Sequence, residues 1–228
     1  MNRTFNTLFL LISVDGKIST GSVPDRDVDK DYKNLPGIKE GLHQYYEIEK
    51  TTDNFSLNSG FVMSKIGVNT DQNPIHCPGV NFIIIDNKNL NTQGIRNLCD
   101  NVKTLFLVTT NENHPAFKLE NDNLEIIFYE SEVDFKDLFA RLRNDYKAER
   151  VTIQSGGTLN SVFLRKGLID RVSIVVAPCL IGGKDTSSLI DGDSLISEAD
   201  LKNIKSLTLE SVKQLRDNYL HIIYNVNN

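Results

Sequence analysis

Basic residues are the minority in this chain: 25 Lys and Arg stand against 30 Asp and Glu, a formal net charge of -5. That shortage argues against a nucleic-acid partner, which would select a basic surface. Cysteine is scarce. Cys77, Cys99 and Cys179 form no CxxC and no close Cys/His spacing, which favours a reduced, cytoplasmic compartment over a disulfide framework. No apolar run approaches the roughly 20 residues that span a bilayer. The run at 8–12 is short, and no small-residue cleavage site precedes Asp15 and Lys17, so it reads as a buried first strand and not a signal peptide. The histidines, His43, His76, His114 and His221, show no helical metal spacing and no HExxH run, so no metal site is expected. His76-Cys77-Pro78 reads as plain loop. A GxSxG elbow and a GxxxxGK[ST] loop are both missing, which leaves nothing to recommend a hydrolase or a P-loop nucleotidase.

What is present describes a water-soluble α/β chain. At 228 residues, 39% hydrophobic and 24% charged, it is long enough for a substantial core. We expect a single domain over 1–228. Short apolar runs at 7–13, 55–58, 82–86, 104–109, 124–129, 151–154 and 171–177 predict strands. Several are continuous, as expected for strands buried on both faces. Helices are predicted at 134–147, with Ser131 and Asp134 resembling a capping box, at 38–50, and from Gly157 onward. Pro178 should stop the strand before it. Segments 207–213 and 218–226 flank a turn-like Leu215-Arg216-Asp217 and predict an antiparallel pair. The architecture is therefore a mostly parallel central sheet flanked by helices, closed by a C-terminal antiparallel hairpin. The charged stretch 19–34 reads as a solvated surface loop.

Polar patches sit where strands end, the usual place for ligands in open α/β sheets. They are Ser13-Val14-Asp15-Gly16-Lys17-Ile18, Asn58-Ser59-Gly60, Asp86-Asn87 and Thr109-Thr110. A further one, Gln154-Ser155-Gly156-Gly157-Thr158-Leu159-Asn160, joins a strand to a helix. Glycine there lets backbone approach a bulky anion, and the first helical turn offers free N–H groups and the positive dipole end. That suits a phosphate or pyrophosphate, although Gly-Gly also closes ordinary turns.

Taken in order, these motifs resemble the reductase domain of riboflavin biosynthesis, which shares its fold with dihydrofolate reductase. Ser13-Val14-Asp15-Gly16-Lys17 matches the family's Ser/Thr-x-Asp-Gly-Lys/Arg, and Gln154-Ser155-Gly156-Gly157-Thr158-Leu159 matches Glu-Gly-Gly-x-Thr-Leu. Gly167-Leu168-Ile169-Asp170-Arg171, Ala177-Pro178 and Gly182-Gly183 match the later segments. The resemblance implies a dihydrofolate-reductase-like fold, an NADPH cofactor and a homodimer. It implies reduction of the ribose of a ribosylaminopyrimidine 5′-phosphate, as in a 5-amino-6-(5-phosphoribosylamino)uracil reductase. On it, Gly156, Gly157, Thr158 and Leu159 hold the pyrophosphate, and Asn87 and Thr109 contact the adenosine half. Ile12 and Ser13 flank the nicotinamide, Asn58, Ser59 and Gly60 also face cofactor, and Asp15 and Gln154 face substrate. Asp15 is the catalytic candidate, either as a proton donor or by positioning ligand and loop. There is no HxE with PCxxC, so the zinc deaminase half found in many bacteria is absent from this sequence.

The chain also departs from the pattern. Gly60-Phe61-Val62 stands for Gly-Thr-Val, Lys65 for an Asp, Gln154 for an acid, and an upstream Arg falls near Glu49-Lys50. Alternative readings are a reductase of another small heterocycle, pterin-like, carbonyl or imine, and an inactive nucleotide-binding relative. A true dihydrofolate reductase is less attractive, because that family usually has a Trp near its first loop and this chain has none.

Overall fold

Alternating apolar runs and amphipathic segments become strands and helices in a computed structural model that describes residues 2–70 and 76–228. In chain order the elements are β1 (Phe5–Ser13), α1 (Val28–Asp31), α2 (His43–Glu49), β2 (Phe55–Ser59), α3 (Gly60–Lys65), β3 (Cys77–Ile85), α4 (Thr92–Cys99) and β4 (Val102–Thr109). Then follow β5 (Leu124–Phe128), α5 (Phe135–Asn144), β6 (Arg150–Ile153), α6 (Gly157–Arg165), β7 (Arg171–Ala177), β8 (Ser206–Gln214) and β9 (Leu220–Asn227). The chain forms two compact units, one from the N-terminus to Phe5 with Asp53–Ser155, the other Asn6–Thr52 with Gly156–Asn228. Among the described residues no helix is long and apolar enough to cross a membrane.

The first unit orders its strands β5-β4-β3-β2-β6, with every neighbouring pair parallel. Interior parallel strands are buried on both faces: β3 and β4 carry continuous apolar runs, whereas β2 also buries Ser56 and Asn58 and the edge strand β5 exposes Glu125 and Phe128. Phe82 and Ile84 of β3 and Leu105 and Leu107 of β4 pack with Met63, Ile95 and Leu98 from α3 and α4. The register sets Ser59 opposite Ile85, and Ile85 opposite Val108. The carboxyl ends of β2, β3 and β4 are therefore level, and the loops that leave them are neighbours. Helix α5 buries Phe135, Leu138, Phe139 and Leu142, one face at helical spacing. Its cap is Asp134 alone, accepting from the N–H groups of Lys136 and Asp137 at 2.9 and 3.2 Å, so the Ser131 box is not formed. Tyr146, beyond the helix, meets Phe106 edge-on at 4.6 Å. Cys77 and Pro78 open β3 and are not plain loop. The Cys77 N–H reaches the Asn101 carbonyl at 2.8 Å.

In the second unit the order is β1-β7-β9-β8. β1 and β7 are parallel, whereas β7–β9 and β8–β9 are antiparallel. The strand pairing thus follows the expected mostly parallel arrangement with an antiparallel C-terminal pair. Phe9 and Leu11 of β1 and Val175 and Ala177 of β7 share a core with Val28, Tyr32, Tyr45 and Tyr219, and Phe9 stacks on Tyr45 at 5.2 Å. Two expectations are corrected here. Segment 19–34 is not simply solvated: Ser19, Asp27, Val28 and Tyr32 are buried. Asp27 caps α1 by accepting from the Asp29 N–H at 2.9 Å. Val28 and Tyr32 lie one helical turn apart, so both face inward although charges surround them. The helix expected at 38–50 begins only at His43, because turns precede it. At Gly41 a Cβ would come within 2.5 Å of the Tyr219 ring.

Candidate active site

The loops leaving β2, β3 and β4 in the first unit meet on one buried carboxylate. Ser59 caps α3, its hydroxyl accepting from the Val62 N–H at 3.3 Å. Asn58 is buried and turns its side-chain oxygen onto the Ser59 N–H at 2.8 Å. Gly60 follows, and any Cβ there would overlap the Asp86 side chain. Asp86 is 3% exposed. Its oxygens accept from the Asn89 N–H at 3.0 Å, the Asn89 side-chain amide at 2.6 Å, the Leu90 N–H at 2.9 Å and His114 Nε2 at 3.0 Å. Burial pushes this carboxyl up, but the hydrogen bonds from His114, Leu90 and Asn89 outweigh it and hold it at about 2. His114 is fully buried. Its Nδ1 accepts from the Ala116 N–H at 3.2 Å, so the network assigns the proton to Nε2, which faces Asp86.

Asn87 joins β3 to β4. Its side-chain oxygen accepts from Thr109 Oγ1 at 2.9 Å and from the Thr110 N–H at 2.8 Å. Asn111 closes the knot through the Asn87 carbonyl at 2.8 Å and through Thr109 Oγ1 at 3.1 Å. Thr109 is buried, while Asn87 and Lys88 are exposed. Gln154, at the end of β6, accepts from the Ser56 hydroxyl at 3.0 Å. The structure therefore brings Asn87 to Thr109, Gly60 to Asp86, and Gln154 to Ser56. His114 was visible in the sequence only as a histidine without metal spacing. Its partner lies 28 residues away, and no local pattern links the two.

The second unit gathers its residues around Asp15. Ile12 and Ser13 end β1, paired with Val176 and Ala177. The Ser13 hydroxyl donates to Asp15 Oδ1 at 2.6 Å and accepts from the Lys17 N–H at 2.9 Å. Asp15 also takes the N–H groups of Ile181 at 3.1 Å and Gly182 at 2.6 Å. Gly182 and Gly183 have φ of 71° and 83°, a left-handed pair that curls these amides toward the carboxylate. The Ser13 hydroxyl, opposed by slight desolvation and aided by both amides, holds the Asp15 carboxyl at about 2. At neutral pH it is ionised, an acceptor with no proton to give.

Helix α6 opens at the glycine pair with no side-chain cap. The first-turn amides of Gly157, Thr158 and Leu159 have no intrahelical acceptor, and Thr158 is exposed. Gly157 is buried beneath 188–191: a Cβ would strike the Ser188 carbonyl and the Asp191 carboxylate, and the Asp191 N–H donates to the Gly157 carbonyl at 3.0 Å. The requirement for glycine at 157 therefore comes first from the protein's own loop. Asp191 turns toward Ser188, accepting from its N–H at 3.0 Å and its hydroxyl at 2.5 Å.

Known proteins resemble this chain in sequence and in fold. The RibD C-terminal domain family matches residues 5–220. A relative from Methanothermobacter thermautotrophicus, named 2,5-diamino-6-ribosylamino-4(3H)-pyrimidinone 5′-phosphate reductase, is 25% identical over 87% of this chain and 88% of its own. A relative of the same name from Aquifex aeolicus is 26% identical over 92% of each chain. Among solved structures, RibD from Acinetobacter baumannii superposes with a TM-score of 0.70 at 17% identity, covering 100% of this chain and 59% of that one. The chain thus spans little more than half of that longer protein and shares the dihydrofolate-reductase-like fold of its reductase part. With the family pattern running from β1 into the C-terminal hairpin, this chain belongs to the RibD C-terminal domain family, the reductases of riboflavin biosynthesis.

Proposed function

We propose that the protein reduces the ribose of a ribosylaminopyrimidine 5′-phosphate to its ribityl form by hydride transfer, with NADPH as cofactor. The observation that carries this is the family match over 5–220 with relatives named as that reductase. The first turn of α6 fits a pyrophosphate: it offers the amides of Gly157, Thr158 and Leu159, and Gly156 has no side chain to obstruct them. The cofactor, when bound, supplies the hydride; the protein supplies orientation and electrostatics. On this reading Asn58, Ser59, Gly60, Asn87 and Thr109 hold the adenosine side, and Ile12 and Ser13 border the nicotinamide. Gln154 and Asp15 face substrate, and Asp15, being ionised, orients the 181–182 turn and its ligand.

Cofactor choice rests on Lys88. A carboxylate near the ribose would favour NADH, but Asp86 is buried against Gly60 and His114. We assign the 2′-phosphate to Lys88, exposed beside Asn87. The departures at Phe61, which is 57% exposed, and Lys65 support the second reading, a reductase of another small heterocycle. The test is NADPH oxidation at 340 nm with the diaminopyrimidinone and aminouracil forms of the ribosyl phosphate, beside pterin and carbonyl substrates. Turnover of neither ribosyl phosphate, with turnover of another compound, selects the second reading.

We further propose a homodimer in the cytoplasm, where Cys77, Cys99 and Cys179, which form no disulfide, suit a reducing milieu. The C-terminal hairpin supports self-association. Leu207, Leu209 and Val212 of β8 lie opposite Val226, Tyr224 and Ile222 of β9, and directly opposed residues share a face. Those β8 side chains are 44%, 54% and 54% exposed.

A further inference from the structure

We infer that the buried Asp86–His114 pair is the positioning device of the dinucleotide half-site in the first unit. The inference rests on the reading that residues 58–60, Asn87 and Thr109 hold the cofactor. One carboxylate reaches every loop concerned. Through Asn89 and Leu90 it fixes the turn that follows β3 and carries Asn87. Through His114 it fixes the loop that follows β4, whose start, Thr109 to Asn111, is tied to Asn87. By contact it sets Gly60 at the start of α3, where no larger residue fits. Asp86 and His114 are 3% and 0% exposed, so neither touches a ligand. A side chain with no access to ligand acts through the groups it holds.

The neutral histidine tautomer completes the device. His114 Nδ1 is committed to the Ala116 N–H, which leaves one proton, on Nε2, for the carboxylate. Replacing the ring with an apolar side chain leaves Asp86 ionised, buried and one donor short. Its remaining partners would shift to cover it, and the strand-end loops would move with them. Affinity for the adenosine side should suffer while the reacting end is left alone.

The experiment compares His114→Leu, His114→Gln and Asn89→Ala in the full chain. Readouts are KM for NADPH, KM for the pyrimidine ribosyl phosphate, kcat, and Kd for adenosine 2′,5′-bisphosphate by calorimetry. For His114→Leu, the NADPH KM and the bisphosphate Kd should rise about tenfold, the loss expected for a hydrogen bond to a charged group. KM for the pyrimidine and kcat should stay within about twofold. His114→Gln, which can again present an N–H to Asp86, should recover most of the affinity. Asn89→Ala removes a donor from a half-exposed turn and should cost about threefold; it decides the matter should His114→Leu not fold. Unchanged affinity in the folded variants, or a parallel rise of both KM values, overturns the inference. A wild type that neither binds the bisphosphate nor oxidises NADPH overturns the functional reading and this inference together. A wild type that does both while the variants keep its affinity overturns the inference alone.

Discussion

At the scale of single residues, the two carboxylates of the candidate site do unlike work. Asp15 is exposed and holds a glycine turn; Asp86 is buried and holds strand ends. Both sit at about 2 when folded, against an ordinary value of 3.8. A depressed carboxylate contributes stability that is present above the unfolded value and is lost as pH falls through the folded one. The loss should therefore fall between pH 3.8 and about 2. For buried Asp86 the shift corresponds to something on the order of 2 kcal/mol. Acid titration followed by circular dichroism should show a shallower loss of stability in Asp86→Asn, from a lower starting stability; an unchanged slope would sever this linkage. Asp15→Asn keeps one acceptor and presents an amide to the donors of Ser13 and Gly182. Its melting temperature should fall by only about 2–4 °C, as for roughly 1 kcal/mol in a chain of this size. Turnover should fall about a hundredfold, the cost of a slightly misplaced catalytic geometry. Full activity would leave the Ser13–Lys17 motif as a marker of fold alone. Lys88→Ala should erase a preference for NADPH over NADH in kcat/KM, and a preference that survives assigns the 2′-phosphate elsewhere.

Elements were legible in proportion to how local their cause was. Strands β1, β2, β4, β5, β6 and β7 fall within about two residues of their predicted bounds; burial on both faces gives the interior β1, β4 and β7 their apolar runs, and turn residues bound the shorter β2, β5 and β6. Helix α5, buried on one face over 10 residues, is long enough for the helical period of Phe135, Leu138, Phe139 and Leu142 to emerge. Helices α3 and α4 span 6 and 8 residues, too short for a helical period to stand out. Helix α1 and the turn after it hide two inward residues, Val28 and Tyr32, among charges. The site divides along the same line. Ser13–Lys17 and the glycine pair before α6 announce themselves through turn chemistry. Asp86 with His114, and the Asp191 that underlies Gly157, depend on chain segments that meet only after folding. Gly41 illustrates a cause that no local reading reaches: it is small because Tyr219, from the far end of the chain, lies on it. Gly41→Ala should overpack that contact and cost about 1–3 kcal/mol, read as a lower urea midpoint with unchanged m-value. A midpoint equal to wild type would mean that the ring moves aside freely.

At the scale of the whole molecule, the C-terminal hairpin shows how one irregularity shapes a surface. Side chains alternate faces along a strand, so Leu209 and Val212, three apart, should point opposite ways. The ladder shifts register between Leu209 and Ser211, and that bulge returns Val212 to the side of Leu207 and Leu209. Glu210, in the bulge, pairs with Arg171 of β7 at 2.8 Å, which anchors the irregularity. The result is an apolar stripe on an edge strand, a feature that soluble proteins normally cover or blunt. A second copy of this chain would cover it, and a two-fold axis would bring the stripe onto itself. Light scattering at micromolar concentration should then give about twice the 25.7 kDa chain mass. Leu209→Asp should give the monomer. The side chain is exposed in the single chain, so the substitution should leave the monomer's far-ultraviolet spectrum intact. A wild type that is already monomeric removes the dimer. A variant that stays dimeric moves the interface to another face and leaves the stripe as an uncovered edge.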